Sequence, residues 1–194
     1  MPKTLERRTV SVGELRVVRA AEAATKIGGH AAKFNVLSED LGGFRERIAP
    51  GAFAQTIKTA DVRALWNHDS NIVLGRNKAG TLRLSEDSVG LVFEVDAPQT
   101  QLVRDMVLAP IERGDVSQCS FGFYTLLDVW KKVAGEWIRT LLEIELFDVS
   151  PVTYAAYPQT DVAVRALTAA QQAAAPPDDA WRLAIARRRL ELAV

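Results

Sequence analysis

From Thr9 to about Ala166, short runs rich in Val, Leu, Ile and Phe alternate with turn residues, a pattern that predicts strands more than helices. Val62 to His68 reads as one strand. Thr81 to Ser85 and Gly90 to Asp96 read as a hairpin turning through Glu86-Asp87-Ser88, with Gly75 and Gly80 marking the loop before it. A second hairpin is predicted from Val116 to Val129 and Trp137 to Val149, joined by Trp130 to Glu136. Helices are fewer. Phe53, Ile57 and Ala60 fall at helical spacing after Pro50-Gly51, and Thr100 is suited to cap a helix from Gln101 to about Arg113 that Gly114 closes. Near Ala169 the character changes to an Ala/Gln/Pro-rich hinge, followed by a basic helical stretch from Ala180 to Leu192. The pattern therefore divides the chain into a strand-rich body over residues 1–166 and a hinge with a C-terminal helix or tail over residues 167–194.

A length of 194 residues suits one core plus a tail. With 48% hydrophobic and 25% charged residues the composition is that of an ordinary globular protein, which excludes disorder of the whole chain. Lys plus Arg number 24 and Asp plus Glu number 24, so the formal net charge of +0 gives no long-range pull toward nucleic acid or an anionic membrane. No apolar run is long enough for a signal peptide or a membrane span, and a soluble cytosolic chain is expected. Cys119 is the one cysteine, which excludes an intrachain disulfide. Together with His30 and His68, the two histidines, it cannot build a common structural zinc site. No metal or cofactor is expected.

Nucleophilic catalysis needs a base within hydrogen-bond reach and a third group that orients the base. His68 follows a strand-like run and precedes Asp69-Ser70-Asn71, so its ring can stand at a strand end; His30 has less around it. In Val116 to Tyr124, period-two alternation puts Cys119, Phe121 and Phe123 on one face and Ser120, Gly122 and Tyr124 on the other. Gly122 leaves room beside Ser120, and Cys119 reads as a small buried hydrophobe. On the neighbouring arm, alternation places Leu142, Ile144 and Leu146 on one face with Asp148, and Glu143 with Glu145 on the other. One of the glutamates can then lie beside the serine if the arms pair. Taken singly, each of these residues fits a structural position as well as a catalytic one.

Four blocks in order change that balance. Gly29 to Ser38 resembles the opening strand, and Glu46-Arg47-Ile48-Ala49-Pro50-Gly51-Ala52-Phe53 the E-x-I-x-P-G-A-F signature, of the prohead (procapsid) maturation proteases of tailed bacteriophages. Leu65-Trp66-Asn67-His68-Asp69 with Leu74-Gly75-Arg76 comes next, followed by Cys119-Ser120-Phe121-Gly122-Phe123. Last is Leu146 to Pro158, similar to the family's E-V-S-x-V-T-x-P-A-x-P ending. The chain departs in carrying Asp148 where Glu is usual and Tyr154-Ala155-Ala156-Tyr157-Pro158 near its end.

The resemblance implies a serine endopeptidase with an α+β fold, an antiparallel β-barrel surrounded by helices as in the related herpesvirus assemblin proteases. It implies His68 as general base and Ser120 as nucleophile. For the acid it points first to Glu145, with Asp148 and then Glu143 as alternatives. The implied substrates are the scaffolding portion of the major capsid protein and the protease itself, cut inside the immature procapsid in the host cytoplasm, and the assemblin relatives add a homodimer. A non-catalytic capsid or scaffold assembly protein that kept the fold is the rival reading, and a hydrolase using Ser117, Ser150 or Cys119 is a second.

Overall fold

The computed structural model describes residues 4–11, 15–20, 23–154 and 167–172. The longest strands are β9 (Gln118–Val133) and β10 (Glu136–Val152), an antiparallel pair turning at Ala134 and Gly135, which both take positive φ. Both strands run further into the connection than the polarity of Lys131, Lys132 and Glu136 suggests, because cross-strand pairing needs only those two turn residues. Strand β1 (Glu6–Ser11) pairs with the outer edge of β9. On the far edge of β10 lie two strands parallel to it, first β4 (Phe44–Ile48) and then β5 (Arg63–Trp66), which turns back into β6 (Asp69–Arg76).

A second sheet has the order β2 (Arg16–Ala20), β3 (Ala23–Lys33), β8 (Gly90–Asp96), β7 (Leu82–Glu86), and contains the hairpin expected around Asp87. His30 lies in β3, where Nε2 meets Asp87 Oδ2 at 2.9 Å. Helical structure is brief. Among the described residues it comprises α1 (Thr56–Thr59), a 3-10 turn (Asn77–Ala79), α2 (Gln101–Val103) leading through a π-helical turn (Arg104–Leu108) into α3 (Ala109–Arg113), and a helical segment over residues 167–172. Thr100 accepts from the Val103 N–H and Gly114 closes the helix at φ 81°, so the capping residues act as their chemistry predicts.

The chain is thus mixed α+β, but the expected closed barrel is absent among the described residues. The strands form separate six-stranded and four-stranded sheets, and the short helices do not surround them. A physical reason lies in β10. Its pairing with β9 is interrupted between Leu141 and Ile144, and the residues before and after that break take different neighbours, β4 from Trp137 to Leu141 and β5 at Asp148 and Val149. Side chains from both sheets bury one core, in which Phe121 stacks on Phe123 and meets Phe53 edge-on at 5.9 Å. Phe53 ends the E-x-I-x-P-G-A-F block, so that block buttresses the inner face of β9. Leu167, at the start of the expected tail, packs against Leu41 and Phe44; the helix expected from Ala180 to Leu192 lies outside the described residues.

The other member of that block, Glu46, is buried in an ion cluster. Arg139 on β10 bonds Glu6, Glu46 and Asp128, and Arg8 bonds Glu6 and Glu46, which ties β1 to β4 and β10. Burial alone would raise the pKa of Glu6, but the hydrogen bond and charge of Arg139, the charge of Arg8 and the Thr125 hydroxyl outweigh it, and the net shift is downward. A carboxylate with a depressed folded pKa contributes stability above its unfolded pKa and loses it as pH falls through the folded one. Glu6→Gln is therefore expected to lower the urea midpoint at pH 7, with a difference from wild type that shrinks as pH is taken well below the ordinary glutamate pKa of about 4.3. A difference that persists undiminished in acid would contradict this role.

Candidate active site

Alternation along β9 divides its residues as the sequence predicts: Cys119, Phe121 and Phe123 are buried in the core, and Ser120 and Gly122 lie on the opposite face. Burial pushes the Cys119 thiol up to about 12, so at neutral pH it is an unreactive packing group. Along β10 the alternation is broken by an extra residue. Leu146 faces Phe123 and Asp148 faces Gly122, which leaves Phe147 as a bulge. Leu146 and Val149 keep to the core, while Asp148 moves to the face it shares with Ser150 and Ser120. A strand without the bulge would have kept Asp148 with Leu146, as the period-two pattern predicts.

His68 arrives from the other side of β10. Strand β5 runs parallel to β10, and Asn67-His68 is the two-residue turn into β6, where Trp66 pairs with Asp69. Both turn residues take positive φ, 53° and 59°, the geometry of a tight hairpin turn that is normally glycine-rich. Histidine tolerates that region better than most side chains, but at a cost that surrounding contacts must offset. Asn67 supplies them: its N–H donates to the Pro151 carbonyl, and its side chain accepts from the Thr153 N–H at 2.9 Å. The turn thus lies at Asn67-His68, not in the Asp69-Ser70-Asn71 run after it.

The outcome is a linear array. His68 Nε2 lies 2.7 Å from Ser120 Oγ, and His68 Nδ1 lies 2.5 Å from Asp148 Oδ2. A carboxylate only accepts, so Nδ1 is the ring nitrogen that carries the proton. The Ser150 hydroxyl donates to the same Asp148 oxygen at 2.7 Å. All three of Ser120, Asp148 and Ser150 are buried. The first-choice acid, Glu145, is on the same face of β10 but opposite Tyr124, two residues beyond Gly122, and Glu143 is opposite Leu127. Both ring nitrogens of His68 are already taken, by Ser120 and Asp148. Ser150, weighed in the sequence as a rival nucleophile, lies directly across the ladder from Ser120 with its hydroxyl committed to Asp148. His30 belongs to the other sheet.

Residues 14–174 match the model of the family described as caudovirus prohead serine protease. The chain belongs to that family. No curated protein sequence matches it. Among solved structures it is similar to the capsid assembly protease gp21 of bacteriophage T4, at 10% sequence identity and a TM-score of 0.52. That likeness covers 77% of this chain and 98% of the T4 protein, and it concerns the fold. Within a prohead protease, Gly122 gains a specific meaning. A Cβ there would fall inside contact distance of Asp148 Oδ1, so the space beside Ser120 is filled by a carboxylate. In the sequence the glycine two residues after the serine marked only room for a close neighbour, and the neighbour that fills it is Asp148.

Gly122→Ala is expected to leave the fold intact and to push the Asp148 carboxylate off His68. Catalytic displacements of about 1 Å cost on the order of 10²-fold in rate. Peptidase assay and thermal unfolding of the same preparation check this. Full activity in a folded Gly122→Ala protein would show that the close approach of Gly122 to Asp148 is incidental.

Proposed function

We propose that this protein is a serine endopeptidase of capsid maturation in which Ser120 is the nucleophile, His68 the general base and Asp148 the group that orients the base. The observation that carries the reading is the position of His68, whose two ring nitrogens contact the Ser120 hydroxyl and the Asp148 carboxylate at once. In this reading His68 Nε2 takes the hydroxyl proton as Oγ attacks a peptide carbonyl carbon. The C–N bond breaks with delivery of that proton to the leaving amine, and water then releases the acyl group by the same route. Asp148 steadies the ring and the positive charge it carries between those steps. Ser150, donating to Asp148 Oδ2, and Asn67, fastening the turn to Thr153, hold the two partners in register.

The substrate assignment rests on the family. A prohead protease acts in the immature shell in the infected cell, and the proposed targets are the scaffolding portion of the major capsid protein and the protease itself. The buried Cys119 gives no support to a thiol hydrolase, since its thiolate is scarce at neutral pH. The non-catalytic scaffold reading is separated by experiment. Co-expression with the major capsid protein is expected to yield shortened capsid protein by mass, and full-length capsid protein when the partner is Ser120→Ala or His68→Ala. Processing that continues with Ser120→Ala would remove the proposed role of that serine.

A further inference from the structure

The far half of β9 has an open edge. Strand β1 pairs with Gln118 to Phe123, and from Leu127 to Val133 no strand lies along the outer edge of β9 among the described residues. Such an edge presents a row of unpaired backbone N–H and C=O groups, which folded proteins normally cover or guard with charge. Here the side chains favour pairing. On one face of the edge Leu127, Val129 and Val133 are 51%, 39% and 56% exposed, interrupted by Lys131. The other face carries Asp128, Trp130 and Lys132, with Asp128 accepting from Arg139 and Trp130 packed against Phe44 and Trp137. We propose that Leu127 to Val133 is a self-pairing edge, which joins β9 antiparallel to β9 of a second copy of this chain and makes one continuous sheet across a two-fold axis.

Symmetry and side-chain chemistry together select the register. Hydrogen-bonded and non-hydrogen-bonded pairs alternate along an antiparallel ladder, so a two-fold axis between identical strands must pass where a residue faces its own copy. With Trp130 at that centre, Leu127 faces Val133 of the second copy and Val129 faces Lys131, which gathers the three aliphatics of each chain on one shared face. On the opposite face Asp128 meets Lys132, and every pairing occurs twice. The neighbouring centres are poorer. Centred on Val129, the ladder sets Leu127 against Lys131 and Asp128 against Trp130; centred on Lys131, it sets that lysine against itself and Asp128 against the turn at Ala134. Of the three registers, only the one centred on Trp130 gives Lys132 an opposite charge. At about 3.3 Å per residue, Ser120 lies on the order of 30 Å along β9 from this centre, so the joint leaves the serine and its partners untouched. The inference is therefore independent of the role of Ser120.

Sedimentation and cross-linking of the full chain test the pairing and its register. The wild-type protein is expected to sediment as a dimer that dissociates on dilution. Lys132→Glu, which sets a carboxylate against Asp128 at both ends of the ladder, is expected to raise the dissociation constant about tenfold or more. The double variant Leu127→Cys with Val133→Cys is expected to form a disulfide-linked dimer on oxidation. Either cysteine alone is expected to give none, because each then stands six residue positions, about 20 Å, from its own copy. Cys119 is buried and takes no part. A wild-type protein that stays monomeric at every concentration would overturn the proposal. So would single-cysteine variants that cross-link as readily as the double variant, or a dimer indifferent to Lys132→Glu. Each of these results would leave the proposed function standing, since none of the substituted residues touches Ser120, His68 or Asp148.

Discussion

Side chains along a strand are assigned to faces by alternation, and one extra residue reverses the assignment of everything after it. At Phe147 of β10 that reversal keeps Leu146 and Val149 in the core while moving Asp148 and Ser150 to the face that carries Ser120. The remaining features of the site depend on this displacement. Gly122 must lack a Cβ because the Asp148 carboxylate fills the space beside it. His68 must come from the β5–β6 turn because β5 lies on the opposite edge of β10 from β9, and only a tight turn at its end brings a ring over the two strands. Asn67 must fasten that turn to Thr153 because two consecutive positive φ values are costly for side chains other than glycine.

The same hairpin divides the work between its two faces. Phe121, Phe123, Leu146 and Val149 join Phe53 in an apolar layer that fixes the strands, and Ser120, Asp148 and Ser150 form a buried polar layer in which each named hydroxyl and carboxylate has a partner. At the far end of the inner face the apolar layer gives way to the Arg139 cluster, which tethers β1 through charge.

Much of this was legible in the sequence. The β7–β8 hairpin, the Thr100 and Gly114 caps and the inner face of β9 follow from local rules, and the blocks around His68 and Ser120 pointed to the pair that the fold brings within 2.7 Å. Bulges are where legibility failed. Nothing in Glu143-Ile144-Glu145-Leu146-Phe147-Asp148 marks Phe147 as an extra residue, so strict alternation put Asp148 in the core and left Glu145 as the carboxylate on the serine's face. The barrel expectation failed for a related reason, since the break in β10 pairing near Leu142 redirects its free edge from one parallel partner to another. Long-range pairings such as β1 with β9, and the Arg8 carbonyl at Ser120, have no local signature at all.

The bulge at Phe147 sets Asp148, and not Glu145, against His68. Phosphonylation rates of Ser120 in Asp148→Asn and Glu145→Gln proteins measure this without knowledge of the natural cleavage site. Ser-His-Asp sites lose on the order of 10⁴-fold when the acid becomes an amide, and a loss of that kind is predicted for Asp148→Asn, with Glu145→Gln near wild type. The reverse pattern, a large loss in Glu145→Gln and a small one in Asp148→Asn, would contradict the geometry described for β10.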